Sequence, residues 1–118
     1  MVEDKATVHE IVNACLTDPV DCWHMRHYRE RIDTYYTSEE RPFALSLLDI
    51  LAASDEPVKF DKVFNLLKSH VETEDREMTL DMLTLLQRDH YVIQQTDGAY
   101  RFRFPLIQRW WRIHRGLA

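Results

Sequence analysis

Four side chains near the start of the chain could bind a metal: Cys15, Cys22, His24 and His27, spaced C-x6-C-x-H-x2-H. Thiolates and imidazoles are zinc ligands, but zinc sites bring them as tight pairs on a turn or knuckle. Here the first gap is too long, and both histidines fall within a helical pattern. The plainer reading is two reduced thiols in a reducing compartment, and no metal is expected. A second set lies at the other end. Arg101, Arg103, Arg109, Arg112 and Arg115 surround Trp111. Guanidinium groups grip phosphate or carboxylate through paired N–H donors, and Trp with Arg is the composition of contact hot spots. These six residues are the candidate contacts to a partner or to a phosphate backbone. Nothing asks to be an active site. There is no G-x-S-x-G elbow, and the six histidines are scattered. A nucleophilic Cys15 or Cys22 would need a base and a positive environment, which no spacing supplies. A non-enzymatic, cofactor-free chain is expected.

Size and charge bound the rest. The chain has 118 residues, 45% of them hydrophobic, which suits one small globular domain. Two glycines and four prolines leave little room for irregular loops, so a mostly helical fold is favoured. No apolar run approaches the roughly 20 residues of a membrane span, and no basic-then-apolar leader opens the chain; a cytoplasmic location is expected. Residues 1–98 hold all twenty acids and ten of the fifteen Lys/Arg, a net of −10. Residues 99–118 hold five arginines and no acid, a net of +5. Such polarity matters for the choice of partner.

The elements that must position these residues can be read from periodicity. Val8, Ile11, Val12 and Cys15 mark a helix over residues 7–16. A second spans 21–36, with Asp21 as N-cap and a stripe of Trp23, Met25, Tyr28, Ile32 and Tyr35. Ser38 heads an imperfect capping box with Glu39-Glu40-Arg41. Pro42 and the Leu-rich run that follows predict a central core helix to about Ala53, apolar over most of its circumference. Val58-Lys59-Phe60 suggests a short strand, and Asp61 caps a helix over 62–71 with Val63, Phe64, Leu66 and Leu67 inside. After the polar turn at 72–75, a helix to about Asp89 carries Met78, Leu80, Met82, Leu83, Leu85 and Leu86 inward, with Thr79 outward. Residues 91–95 and 100–104 alternate around Asp97-Gly98, a strong hairpin signal. Tyr100, Phe102 and Phe104 share one face; Arg101 and Arg103 share the other. Pro105 then opens a last helix with Leu106, Ile107, Trp110 and Ile113 inward. The organisation is one mainly α domain with a small hairpin wing: two N-terminal helices (1–37), a winged helix-turn-helix core (38–104) and a C-terminal helix (105–118).

One stretch is narrower than a generic winged helix. Tyr100-Arg-Phe-Arg-Phe-Pro-Leu-Ile-Gln-Arg-Trp-Trp111 resembles the end of the C-terminal winged-helix domain that follows the ATPase module in AAA-type and STAND-type ATPases of prokaryotes. Glu30-Arg-Ile-Asp-Thr-Tyr-Tyr36 and the following Leu-rich helix are similar to the join between ATPase lid and winged helix. The resemblance covers roughly residues 20–115. It implies an accessory domain that docks on its ATPase module or on another subunit. The chain departs from the full family pattern: it has no G-x-x-x-x-G-K-[ST] loop, so ATP hydrolysis is carried over to no residue here.

The competing class is a winged-helix DNA-binding regulator, holding the phosphate backbone through its wing arginines. Charge weighs against it. The helix that would enter the major groove opens with Glu72, Glu74, Asp75, Glu77 and Asp81, opposed only by Arg76 and Arg88. A polyanion is repelled by such a face. Protein contact is therefore the expectation and DNA the alternative, with no membrane partner. Homodimerisation through terminal helices is compatible with either.

Overall fold

The computed structural model describes residues 25–117, as five helices and one two-stranded antiparallel hairpin. The expected helix at 7–16 and the Asp21 cap lie outside those residues, as do Cys15, Cys22 and His24. Helix α1 spans Arg26–Tyr35. It buries Met25 and Ile32, but the stripe does not continue to Tyr35, which is 78% exposed. Tyr36 replaces it. The backbone turns extended at Tyr36, which carries that ring into the core, where its hydroxyl donates to Asp89 Oδ2 at 2.8 Å.

Helix α2, Glu40–Ala53, is the central element. Its start is fixed by a capping box one residue earlier than the sequence suggested. Thr37 Oγ1 accepts from the Glu40 N–H at 3.1 Å, and Glu40 Oε1 accepts from the Thr37 N–H at 2.9 Å. This is the reciprocal T-x-x-E arrangement that satisfies two orphan donors. Ala44, Leu47, Leu48, Ile50, Leu51 and Ala52 are all buried, and α2 packs on every other helix and on the hairpin.

Helix α3, Phe60–Leu67, buries Val63, Phe64 and Leu67 and ends four residues short of the predicted 71. Helix α4, Arg76–Arg88, starts at the N-cap Asp75, whose Oδ1 accepts from Met78 N–H at 2.9 Å. Two of its positions reverse the sequence expectation. Thr79 is fully buried, and Leu80 is 42% exposed. The inward stripe runs Thr79, Met82, Leu83, Leu86. Thr79 tolerates burial because its hydroxyl donates to Asp75 O at 3.0 Å, so no polar atom is stranded.

Strands β1 (Val92–Gln94) and β2 (Tyr100–Phe102) pair with Val92 opposite Phe102 and Gln94 opposite Tyr100. Gly98 sits at φ +91° in the connecting turn, where its N–H donates to Gln95 O at 2.9 Å; glycine takes this left-handed geometry without a Cβ clash. Val58 adds a third, single-residue strand by exchanging two 2.8 Å hydrogen bonds with Tyr100. Helix α5, Pro105–His114, follows with Pro105 in its first turn. The layout is helix, one-residue strand, helix, turn, helix, hairpin, then a terminal helix laid against α2 and β2. That is the mainly helical architecture with a β-hairpin wing. No helix among the described residues is long and apolar enough to cross a membrane.

Candidate partner-binding surface

The six predicted contact residues do not share a fate. Trp111 is withdrawn entirely. It is 0% exposed, tilted against Phe102, and its Nε1–H donates to Asp49 Oδ1 at 2.8 Å. It is a core residue of the α2–α5 seam and not a partner contact. Trp110 is buried as well, stacked on the His114 ring at 4.5 Å. Both indoles are covered without an external partner because α5 lies in the angle between α2 and β2.

Arg115 and Arg112 are spent inside the molecule. Arg115 forms a bidentate pair with Asp49, at 3.0 and 2.9 Å. Asp49 thereby receives three hydrogen bonds while its side chain is only 13% exposed. Arg112 reaches the last turn of α2. Its Nε donates to Ala52 O, and its Nη2 donates to Ser54 O and to Asp55 Oδ1, both at 3.1 Å. Gln108, one turn earlier, donates from Nε2 to Leu51 O, Ala52 O and Ser54 O at 3.2, 3.3 and 3.0 Å. A helix end leaves its last carbonyls without partners and carries partial negative charge. Gln108 and Arg112 satisfy both demands for α2 from a separate helix. Arg112 and Arg115 lie three residues apart at the end of α5, and both turn toward α2 and its C-terminal end.

Of the other three arginines, Arg103 is exposed and Arg101 and Arg109 are half-buried. Arg101 lies on β2 opposite Ile93, and its Nη1 donates to Phe102 O at 3.0 Å. Arg103 is exposed; its Nη1 lies 3.0 Å from His90 Nδ1, and its guanidinium sits 5.3 Å from the Phe104 ring centre. Arg109 lines a shallow recess of about 260 Å³ with Asp55, Pro105, Gln108 and Arg112. The structure adds two residues that the sequence placed inside. Phe104 is 43% exposed, and Leu106 is exposed beside it. Phe104 is the N-cap of α5 and has left the sheet, so strand alternation no longer applies to it. The signal was present: a residue before proline is held extended and commonly marks a boundary. Arg103, Phe104 and Leu106 are thus exposed where the wing joins α5, with Arg103 over the Phe104 ring and Arg109 one turn further along the helix.

A second set of exposed residues lies on α4 and the turn before it. Glu72, Glu74, Asp75, Glu77, Leu80 and Asp81 are exposed. Arg76 is exposed among them but is already engaged. Its Nη2 is held by Asp61 Oδ1 at 2.8 Å, and its guanidinium packs 4.8 Å from Phe60 and 5.2 Å from Phe64. Lys68 is similarly placed over Phe64 at 4.7 Å and near Glu74 at 3.4 Å. Cation–π contacts of this kind tie the α3–α4 turn together, while both side chains stay partly in solvent.

Titration follows burial. Tyr91 is pushed up to about 12, chiefly by burial, and its hydroxyl donates to Tyr28 O at 2.6 Å. Burial, with the Asp89 hydrogen bond, raises Tyr36 further. His114 is held below the ordinary imidazole range by burial and by Arg29, Arg115 and Arg26, with Asp33 opposing. Among the described residues, no three His, Cys, Asp or Glu side chains gather as a metal site. No protein-family model matches the chain, and neither does any curated protein or solved structure.

Proposed function

We propose that this chain is a non-catalytic winged-helix docking domain. It resembles the C-terminal accessory domain of AAA-type and STAND-type ATPases, and it binds a protein partner through its wing and the start of α5. The observation that carries the reading is the electrostatic state of α4. The helix that would read a major groove presents carboxylates and Leu80, and its leading arginine is committed to Asp61, Phe60 and Phe64. Phosphate contacts dominate nucleic-acid affinity, so this face disfavours DNA. The wing root, with Arg103, Phe104 and Leu106 exposed and Arg109 one turn on, has what a protein contact uses: exposed apolar area beside guanidinium groups.

The direct test is fluorescence anisotropy of the full chain with random-sequence duplex DNA over a salt series. No binding at low salt supports the docking reading. Saturable binding that weakens steeply with salt overturns it in favour of the winged-helix DNA-binding regulator, with Arg101 and Arg103 on the backbone. A photo-cross-linking residue at Phe104 and another at Leu80 then locate the contact in cells. A discrete protein adduct from position 104 and none from position 80 is the expected pattern.

A further inference from the structure

A cleft of about 340 Å³ opens between the end of α1, the start of α2 and the end of α4. It shares no residue with the wing or α5, and its lining has an unusual balance. Two guanidinium groups, Arg31 and Arg88, face two carboxylates, Glu40 and Asp89, with Tyr35, Tyr36 and Leu85 between them. Volumes of roughly 300 Å³ and above are typical of small-molecule sites.

Arg31, Asp89 and Glu40 are held in place while keeping capacity to spare, and Arg88 stands 74% exposed beside them. Arg31 rests over Tyr91 at 5.4 Å and Tyr28 at 5.9 Å, and its Nη2 donates to Asp89 O at 3.3 Å. One of its five N–H donors is thus used among the described residues. Asp89 accepts from Tyr36 Oη–H at 2.8 Å, with Arg88 Nε 3.8 Å from its other oxygen. A carboxylate has about four acceptor positions, so most of its capacity remains. Glu40 Oε1 is anchored by the Thr37 N–H. Tyr35 stands 78% exposed at the rim with no packing role. A lining with two cations, two anions and an aromatic rim gains nothing net from a simple anion or a simple cation.

We propose that this cleft binds a small zwitterion: a free α-amino acid with an apolar side chain. Its carboxylate meets Arg31 and Arg88, its ammonium meets Asp89 and Glu40, and its side chain covers Leu85 and the Tyr35 ring. Guanidinium–carboxylate pairing gives the orientation, and the preset Arg31 lowers the ordering cost.

The test is a two-dimensional NMR titration of the full chain with L-leucine, N-acetyl-L-leucine and L-leucinamide. The acetyl compound stands for a chain's C-terminal residue and the amide for an N-terminal one. Leucine is expected to give saturable shifts at residues of the cleft. Each derivative loses one charged contact and binds at least about tenfold more weakly, the usual scale for a hydrogen bond to a charged group. Arg88→Gln and Tyr35→Ser, both at exposed side chains, weaken leucine binding while the dispersed spectrum is retained. No saturable shift, equal binding of leucine and either derivative, or unchanged binding in both variants overturns the proposal. The docking reading survives any of these results, since it uses none of these residues.

Discussion

Asp49 shows how much a single carboxylate organises here. It accepts from Trp111 Nε1 and twice from Arg115. Removing it strands a buried indole N–H and a half-buried guanidinium. Asp49→Ala is expected to cost about 3 kcal/mol, the scale of breaking a buried charged network, and Asp49→Asn less, since its amide oxygen still accepts from the indole. Urea unfolding of both variants checks this; equal losses would mean that the charge contributes little. His90 makes the converse case. It closes α4 in the left-handed region at φ +67°, with His90 N–H on Gln87 O and Tyr91 N–H on Leu86 O. Gly116 closes α5 by the same bond pattern at φ +69°, the usual choice for such a cap. His90→Gly relieves a cost of about 1–2 kcal/mol, part of which returns as unfolded-chain entropy. A net gain of about 0.5–1 kcal/mol is expected in the same assay. No gain would mean that the Arg103 contact at 3.0 Å offsets the strain. His114 adds a pH term. Its folded-state pKa lies below the ordinary value of about 6.5. The neutral ring is therefore favoured in the folded state, and its contribution is present above that value and lost as pH falls below it. His114→Phe keeps a ring against Trp110, so the variant should lose less stability than the parent between pH 7.5 and 5.5.

At the level of elements, the strongest link is α5 across α2. Gln108 and Arg112 close the carbonyl end of α2, while Ile107, Trp110 and Trp111 fill the space beside it. Deleting residues 106–118 opens the core and uncaps α2 at once. A truncated chain is expected to lose cooperative thermal unfolding, and unchanged melting would refute this role for α5. The elements themselves were largely legible in the sequence. The Leu-rich run, the polar turn at 72–75, Asp97-Gly98 and Pro105 are local signals, and each lies at the boundary it predicts. Errors arose where two adjacent residues compete for one role. Thr37, not Ser38, completes the box because only Thr37 has a glutamate three residues on. Thr79, not Leu80, faces inward because helical phase outweighs side-chain polarity once the hydroxyl has an acceptor. The site was less legible. Spacing places Arg112 and Arg115 on one face of a helix, but their acceptors lie 57 to 66 residues away in the chain, and no local pattern reveals them. The cleft around Arg31, Tyr35 and Arg88 is likewise assembled from three helices with no motif in common.

Across the whole molecule, the sequence polarity of −10 and +5 is partly cancelled by folding. Arg112 and Arg115 turn onto Asp55 and Asp49, so the basic tail neutralises the body that precedes it. What remains exposed is the acidic run at residues 72–81 and, at the wing root, Arg103, Phe104 and Leu106. In a winged helix that reads DNA, the elements matching α4 and the hairpin would meet the duplex; the exposed acids on α4 oppose a polyanion there. This separates shape from electrostatics and can be tested by reversing the charge. Glu77 and Asp81 are exposed, and among the described residues neither has an ion-pair partner. A Glu77→Lys/Asp81→Lys variant changes the face by four charges without touching the core. It is expected to bind duplex DNA where the parent does not. Affinity should fall with salt at a logarithmic slope of about −0.9 for each phosphate engaged, so two new contacts give a slope near −2. Circular dichroism and urea midpoints should match the parent, because both positions face solvent. If the variant folds and still ignores DNA at low salt, shape also excludes the duplex, and the hairpin and α4 are arranged for a protein surface. If the parent itself binds with a comparable slope, the wing arginines suffice and the docking reading fails.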